Sequence, residues 1–106
     1  MSNQPFSEQY RLVAKDWVDK DAAARMLEET KTAVLAQMKS AQGDMPESKS
    51  ERLVKASGEW ADFLRKMVDA RTAANLARVK MKYIDMKYFE HQAANATARA
   101  EMGMGR

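Results

Sequence analysis

Apolar residues recur every three or four positions in the first part of the chain, the spacing of one face of an α-helix. Pro5 and Ser7 mark the beginning of this pattern, since proline is favoured at the first helical position and serine caps helix N-termini. Lys20 and Lys31 interrupt it. We therefore expect a helix over about residues 6–41 with one apolar stripe: Phe6, Tyr10, Val13, Trp17, Ala24, Leu27, Val34 and Met38.

Residues 42–48 contain the only clustered turn signals of the sequence, including one glycine and one proline. Such a cluster between two periodic segments predicts a turn, and we place a hairpin bend there. Ser48 or Ser50 is the predicted cap of a short helix over about residues 49–57. Gly58 predicts a kink or a break after it.

The last segment predicts a long helix over about residues 59–100 and a flexible tail over 101–106. One set of apolar residues, the first stripe, alternates strictly between spacings of three and four, as in a coiled-coil seam: Trp60, Phe63, Met67, Ala70, Ala74, Ala77, Met81, Ile84 and Tyr88. At about 100° per residue, a second stripe lies on roughly the opposite side of the helix: Val68, Leu76, Val79, Tyr83 and Met86.

A helix with two opposed apolar faces has to be buried from two sides. The first helix can cover one face, and the short middle helix can cover only part of the other. We therefore predict an all-α fold in a single domain over residues 1–106. It is a long helical hairpin, or antiparallel coiled coil, that pairs with a second copy into a dimeric four-helix bundle. The second stripe is the predicted self-association face; the alternative is a three-helix monomer.

Charge is uneven along the chain. Residues 1–59 carry nine Lys or Arg and ten Asp or Glu, a net of −1, and residues 60–106 carry nine and five, a net of +4, which together give +3. In the basic part, Arg71, Arg78 and Lys82 share one narrow ridge of the predicted helix. Such a ridge can follow a phosphate backbone or contact a protein. The alternative is a solvated flank beside the seam, because +4 over a long helix is modest.

Basic and aromatic residues alternate over residues 80–89, a pattern that is typical of base-stacking surfaces. Tyr83 and Tyr88, however, are five residues apart and therefore point about 140° apart on a helix. We expect two buried aromatic side chains on different stripes instead of one stacking platform.

Residues suited to catalysis or metal binding are sparse. The chain has no cysteine and one histidine, His91, which has no carboxylate one helical turn away to complete a metal site. Asp16 and Asp19 stand among lysines, which indicates an exposed face and not a tuned acid–base pair. We expect no enzyme: no catalytic residue, no metal, no cofactor and no small-molecule substrate.

The sequence also bears on localisation. No apolar run approaches the roughly 20 residues that a membrane-spanning helix needs. Residues 1–11 lack the basic and then apolar pattern of a signal peptide. We expect a cytoplasmic protein without a membrane partner.

Two segments of the second half carry a resemblance to a known group of proteins. Asn95-Ala-Thr-Ala-Arg-Ala-Glu-Met and Glu51-Arg-Leu-Val-Lys-Ala-Ser-Gly-Glu-Trp-Ala resemble segments of small all-helical proteins of tailed bacteriophages, which are of uncharacterised function and often encoded near early or recombination genes. The chain departs from their pattern at Phe89-Glu-His-Gln. The resemblance implies a phage protein in the host cytoplasm, active beside DNA replication, recombination or host takeover; it assigns a role to no single residue.

Three hypotheses of function follow. The first is a non-enzymatic accessory protein that binds another protein through its helical surfaces and modulates a host or phage DNA-processing or defence protein. The second is a DNA-associated helical dimer that uses Arg71, Arg78 and Lys82. The third, an enzyme dependent on His91, has the least support in the sequence.

Overall fold

The computed structural model describes residues 4–104, which form three α-helices: α1 over Phe6–Ala41, α2 over Glu47–Lys55 and α3 over Gly58–Met104. The chain is elongated, with extents of 87 × 19 × 17 Å. Helix α1 packs antiparallel along α3, so Phe6 at the start of α1 lies against Tyr88 in the second half of α3. The predicted all-α fold and helical hairpin are confirmed.

The bend between α1 and α2 depends on one glycine. Gly43 has φ of 92°, in the left-handed region that other residues rarely adopt, and its N–H donates to the carbonyl of Ser40. Pro46 then precedes α2, which begins at Glu47. The predicted range of 49–57 for the short helix is therefore wrong by two residues, because the fixed φ of proline favours a helix that starts directly after it.

The predicted serine cap of α2 is also wrong. Pro46 occupies the cap position without a side-chain hydrogen bond, and the hydroxyl of Ser50 donates to the carbonyl of Lys39 in the last turn of α1. Ser50 is buried, so this bond fastens α2 to α1.

Ser57, at the start of α3, acts as a helix cap. Its Oγ accepts a hydrogen bond from the backbone N–H of Trp60, three residues later, at 3.2 Å. This satisfies one of the free N–H groups of the first helical turn. The break therefore comes between Lys55 and Gly58, and Gly58 is the first residue of α3.

Helix α3 continues through Met104, whereas the sequence predicts its end near residue 100 and a flexible tail over 101–106. The correction has a simple cause: the last turns are rich in alanine, which has the highest helix propensity. Residues 105 and 106, the end of that predicted tail, lie outside the described residues.

The first stripe of α3 faces α1, and the centre of the interface is made of alanines. Ala24 and Ala74 are fully buried, and Ala77 is nearly so. Small side chains let two helix axes come close together. Trp60 and Val54 close the bend end of the hairpin, where the Trp60 ring stacks on Phe63 at 5.6 Å.

The burial predicted for Tyr88 is wrong, whereas the burial predicted for Tyr83, on the second stripe, depends on a second copy and stays a prediction. Tyr88 is 41% exposed although it belongs to the first stripe, because α1 begins at Phe6 and leaves one side of the tyrosine ring uncovered. Tyr83 is also exposed, with the ammonium of Lys87 at 5.8 Å from its ring centre.

Candidate interaction surface

The second stripe of α3 is an exposed row of large apolar side chains. Its five residues are between 56% and 62% exposed. They lie on the side of α3 that faces away from α1, because the two stripes are about 180° apart around the helix. Helix α2 packs at the bend end of the hairpin, where Val54 is buried, and leaves this row uncovered.

The chain as a whole has far more surface than its mass requires. A compact monomer of 12.0 kDa would expose about 6,000 Å², whereas this chain exposes 8195 Å². The radius of gyration is 23.9 Å, against about 13 Å for a compact domain of this length. An elongated hairpin with so sparse a core has room to bury further surface against a partner.

The ridge residue Arg71 belongs to an ion-pair cluster inside the hairpin. Its Nε and Nη2 donate to the two carboxylate oxygens of Glu28, at 2.8 Å and 2.7 Å, and its Nη1 donates to Asp21 at 2.7 Å. The second oxygen of Asp21 accepts from Arg25 at 2.8 Å. A guanidinium held at both ends by carboxylates fixes the register of α3 against α1.

The cluster perturbs the groups that form it. The hydrogen bond from Arg71 lowers the pKa of Asp21 below its ordinary 3.8 and that of Glu28 below its ordinary 4.5. Both carboxylates in turn raise the pKa of Arg71. The side chain of Asp21 is only 16% exposed, so it is the best shielded member of the cluster.

The sequence-predicted ridge is therefore divided into two parts. Arg71 is neutralised by two carboxylates of its own chain. Arg78 and Lys82 are exposed and form no ion pair with any of residues 4–104. These two residues keep their place as predicted partner or nucleic-acid contacts, but the ridge loses one of its three free charges.

An apolar groove lies at the open end of the hairpin, where α1 begins. It has a volume of about 260 Å³ and is lined by Phe6, Ser7, Tyr10, Ile84, Asp85 and Tyr88.

His91 lies near this groove, with its ring centre 5.2 Å from that of Phe6, and its Nε2 is 3.2 Å from Asn95 Nδ2. The histidine therefore contacts an aromatic ring and an amide, and it forms no ion pair with a carboxylate among residues 4–104.

Within residues 4–104, no three or more His, Cys, Asp or Glu side chains come together as metal ligands. The described helices also include none whose length and apolar character would let it cross a membrane.

The Arg71 cluster is the feature that the sequence interpretation missed. A signal for it exists, because Asp21 and Glu28 are seven residues apart and thus share one side of α1. The sequence does not reveal the register of α1 against α3, and this register determines that the side of α1 with Asp21 and Glu28 faces Arg71.

The chain matches no protein-family model, no curated protein and no solved structure.

Proposed function

We propose that this chain is a non-enzymatic accessory protein that acts by binding protein through the second stripe of α3, and that it works as a dimeric four-helix assembly. The exposed stripe is the single observation that carries the proposal. Its residues are Val68, Leu76, Val79, Tyr83 and Met86.

The physical reason is the cost of leaving this surface in water. Burial of apolar surface contributes about 25 cal/mol per Å², and a row of large side chains along one helix face is typical of an interaction site. No further helix within residues 4–104 covers it, since α2 is fastened to the end of α1 through Ser50. We therefore expect a binding partner to bury the apolar side chains of the second stripe.

The resemblance to small helical phage proteins supports the biological setting of the proposal. It favours a protein of the host cytoplasm that modulates a host or phage DNA-processing or defence protein. The polar side of α1 supports a binding role over chemistry, because its carboxylates pair with neighbouring cations of the same helix, as in Lys15–Asp19 at 2.7 Å.

Site-specific photo-crosslinking in cells tests the proposal. A photo-reactive benzoylphenylalanine in place of Leu76 should give protein adducts on illumination. The same group in place of Met26 is the matched control, since Met26 is 68% exposed and Leu76 61%, but Met26 lies on α1. Adducts at Leu76 and not at Met26 are expected; no adduct at Leu76, or equal adducts at both positions, would refute the proposal.

A further inference from the structure

Four residues of the second stripe, Leu76, Val79, Tyr83 and Met86, are part of a longer regular pattern along α3. When its alternation of three and four residues is continued in both directions, it includes Thr72 and then charged residues at both ends. This extended stripe is Arg65, Asp69, Thr72, Leu76, Val79, Tyr83, Met86 and Glu90. Its positions are symmetric about the point between Ala77 and Arg78, so an antiparallel copy falls in register with itself.

In that register the charges are complementary. Arg65 of one copy lies opposite Glu90 of the second copy, and Asp69 lies beside Lys87 of the second copy. All four side chains are exposed in the single chain. A parallel pair would instead place Arg65 beside Arg65 and Glu90 beside Glu90, which is unfavourable because like charges repel.

The apolar residues match in the same register. Leu76 lies opposite Val79 of the second copy at the centre, and Met86 lies opposite Asp69 of the second copy and beside its Val68. Thr72 lies opposite Tyr83 of the second copy. The two-fold axis repeats this pair on the other side of the apolar centre, and both of its side chains carry a hydroxyl group. Apolar residues therefore meet apolar residues over the middle of the interface, with ion pairs at its ends, as in antiparallel helical coiled coils.

The length of α3 supports the same arrangement. Helix α1 begins at Phe6, which contacts Tyr88 and His91, so residues 92–104 of α3 extend about 20 Å beyond α1. In the antiparallel pair, residues 92–97 lie along residues 58–63 of the second copy. Residues 92–97, which are exposed in the described part of the chain, thus gain a partner helix.

The chain exposes more surface than one standard interface would bury. The chain exposes 8195 Å², about 2,200 Å² more than a compact monomer of its mass. A standard interface buries about 800 Å² per partner, a little over a third of that excess.

We infer that the occupant of the second stripe is a second copy of this chain, packed antiparallel about a two-fold axis between Ala77 and Arg78; this rests on the proposed function of the stripe. Because the two stripes are on opposite sides of α3, the four long helices, α1 and α3 of each copy, lie side by side with the two α3 helices in the middle. The two-fold axis places Arg78 and Lys82 of both copies on one flank of this layer.

Distances between spin labels test this arrangement directly. The chain has no cysteine, so Asn95→Cys and Lys66→Cys each provide a single labelling site, and both positions are exposed and outside the extended stripe. At 1.5 Å per residue, the axial separation between the two copies is about 52 Å for residue 95 and about 35 Å for residue 66. Pulsed electron spin resonance should give the longer distance for Asn95→Cys, by about 18 Å.

Other arrangements give different distances. A parallel pair brings both labels within about 25 Å, since equivalent residues are then side by side. An antiparallel pair shifted by one heptad toward the C-terminus reverses the order, to about 42 Å for residue 95 and about 45 Å for residue 66. Either result would overturn the inferred register while leaving the stripe as a binding surface.

A charge exchange tests the ion pairs. Arg65→Glu and Glu90→Arg should each raise the dissociation constant of the dimer about three- to tenfold, because each places like charges opposite one another twice per dimer. The double variant should return to within about twofold of the unmodified chain. Glu29→Arg, on the exposed side of α1, is the matched control and should change nothing; a double variant as weak as the single ones would refute the pairing.

The two proposals can fail separately. A monomer in solution that still forms adducts at Leu76 with other proteins would overturn the second-copy inference and the proposed dimeric assembly, and would keep the proposed binding of protein through the second stripe. A monomer without adducts would overturn both. A dimer with the distances of another arrangement would overturn the inferred register alone.

Discussion

The two stripes of α3 are both apolar but have opposite environments. The first stripe has alanines at its centre, and Ala74 and Ala77 are buried against α1. The second stripe has Leu76 and Val79 at the corresponding height, and both are more than 60% exposed. Small central residues suit a close approach within one chain, whereas larger ones at the centre provide apolar area for a partner. The comparison supports the proposal that α3 is the middle helix of a dimeric assembly.

The largest expected loss of stability comes from a substitution in the first stripe, at Trp60. Trp60→Ala, made in the Val79→Asp background that we expect to be monomeric, should lower the free energy of unfolding by about 3–5 kcal/mol, because a buried ring is replaced by a cavity. Tyr83→Ala in the same background should change it by no more than about 0.5 kcal/mol, as is usual at exposed positions. Urea unfolding followed by circular dichroism measures both, and equal losses would contradict the contrast between the stripes.

Overpacking the alanine centre should have the next largest effect. Ala74 is fully buried, so Ala74→Leu in that background should cost about 1–3 kcal/mol by forcing α1 and α3 apart. Ala33→Leu, at an exposed position of α1, is the control and should stay within about 0.5 kcal/mol. If Ala74→Leu were neutral or stabilising, the close approach of the helices at this point would be wrong.

The ion-pair cluster should give the hairpin a dependence on pH. Folding lowers the pKa of Asp21 and Glu28, so their contribution to stability is present above their ordinary pKa values and is lost as the pH falls below about 4.5, through the lowered values. Arg71→Met removes the cause of the shift. The variant should therefore have a lower Tm at neutral pH and a shallower decrease of Tm in acid.

Lys15→Met is the control for that experiment. Lys15 pairs with Asp19 on the same exposed face of α1, and exposed pairs of this kind contribute little. Its Tm should follow that of the unmodified chain at every pH. An Arg71→Met variant with an unchanged acid dependence would show that the cluster does not hold the two helices together.

The smallest expected effect is on DNA binding. With Arg71 neutralised by Asp21 and Glu28, we expect no stable complex with a short duplex at physiological salt, and the variant Arg78→Ala/Lys82→Ala should behave like the unmodified chain. A sizing column with light scattering, run at low and physiological salt, measures this. A complex that weakens steeply with salt and is lost in the variant would favour the DNA-associated dimer instead.

Periodicity was sufficient to predict the hairpin and the two stripes, because apolar spacing along a helix depends only on local geometry. The bounds of α2 were missed because Pro46 and the Ser50–Lys39 hydrogen bond act at the bend, where local signals compete. The role of Arg71 could not be predicted, since it depends on how far α1 is shifted along α3. The exposure of Tyr88 has the same origin, because it depends on where α1 begins relative to α3.

The mass of the chain in solution tests the central claim most directly. Light scattering behind a sizing column should give about twice the 12.0 kDa of one chain, since we expect two copies to cover each other's second stripe. Val79→Asp should give the mass of one chain with unchanged helix content, because a buried unpaired charge opposes pairing but not the hairpin. A mass of 12.0 kDa for the unmodified chain, at concentrations well into the micromolar range, would contradict the account.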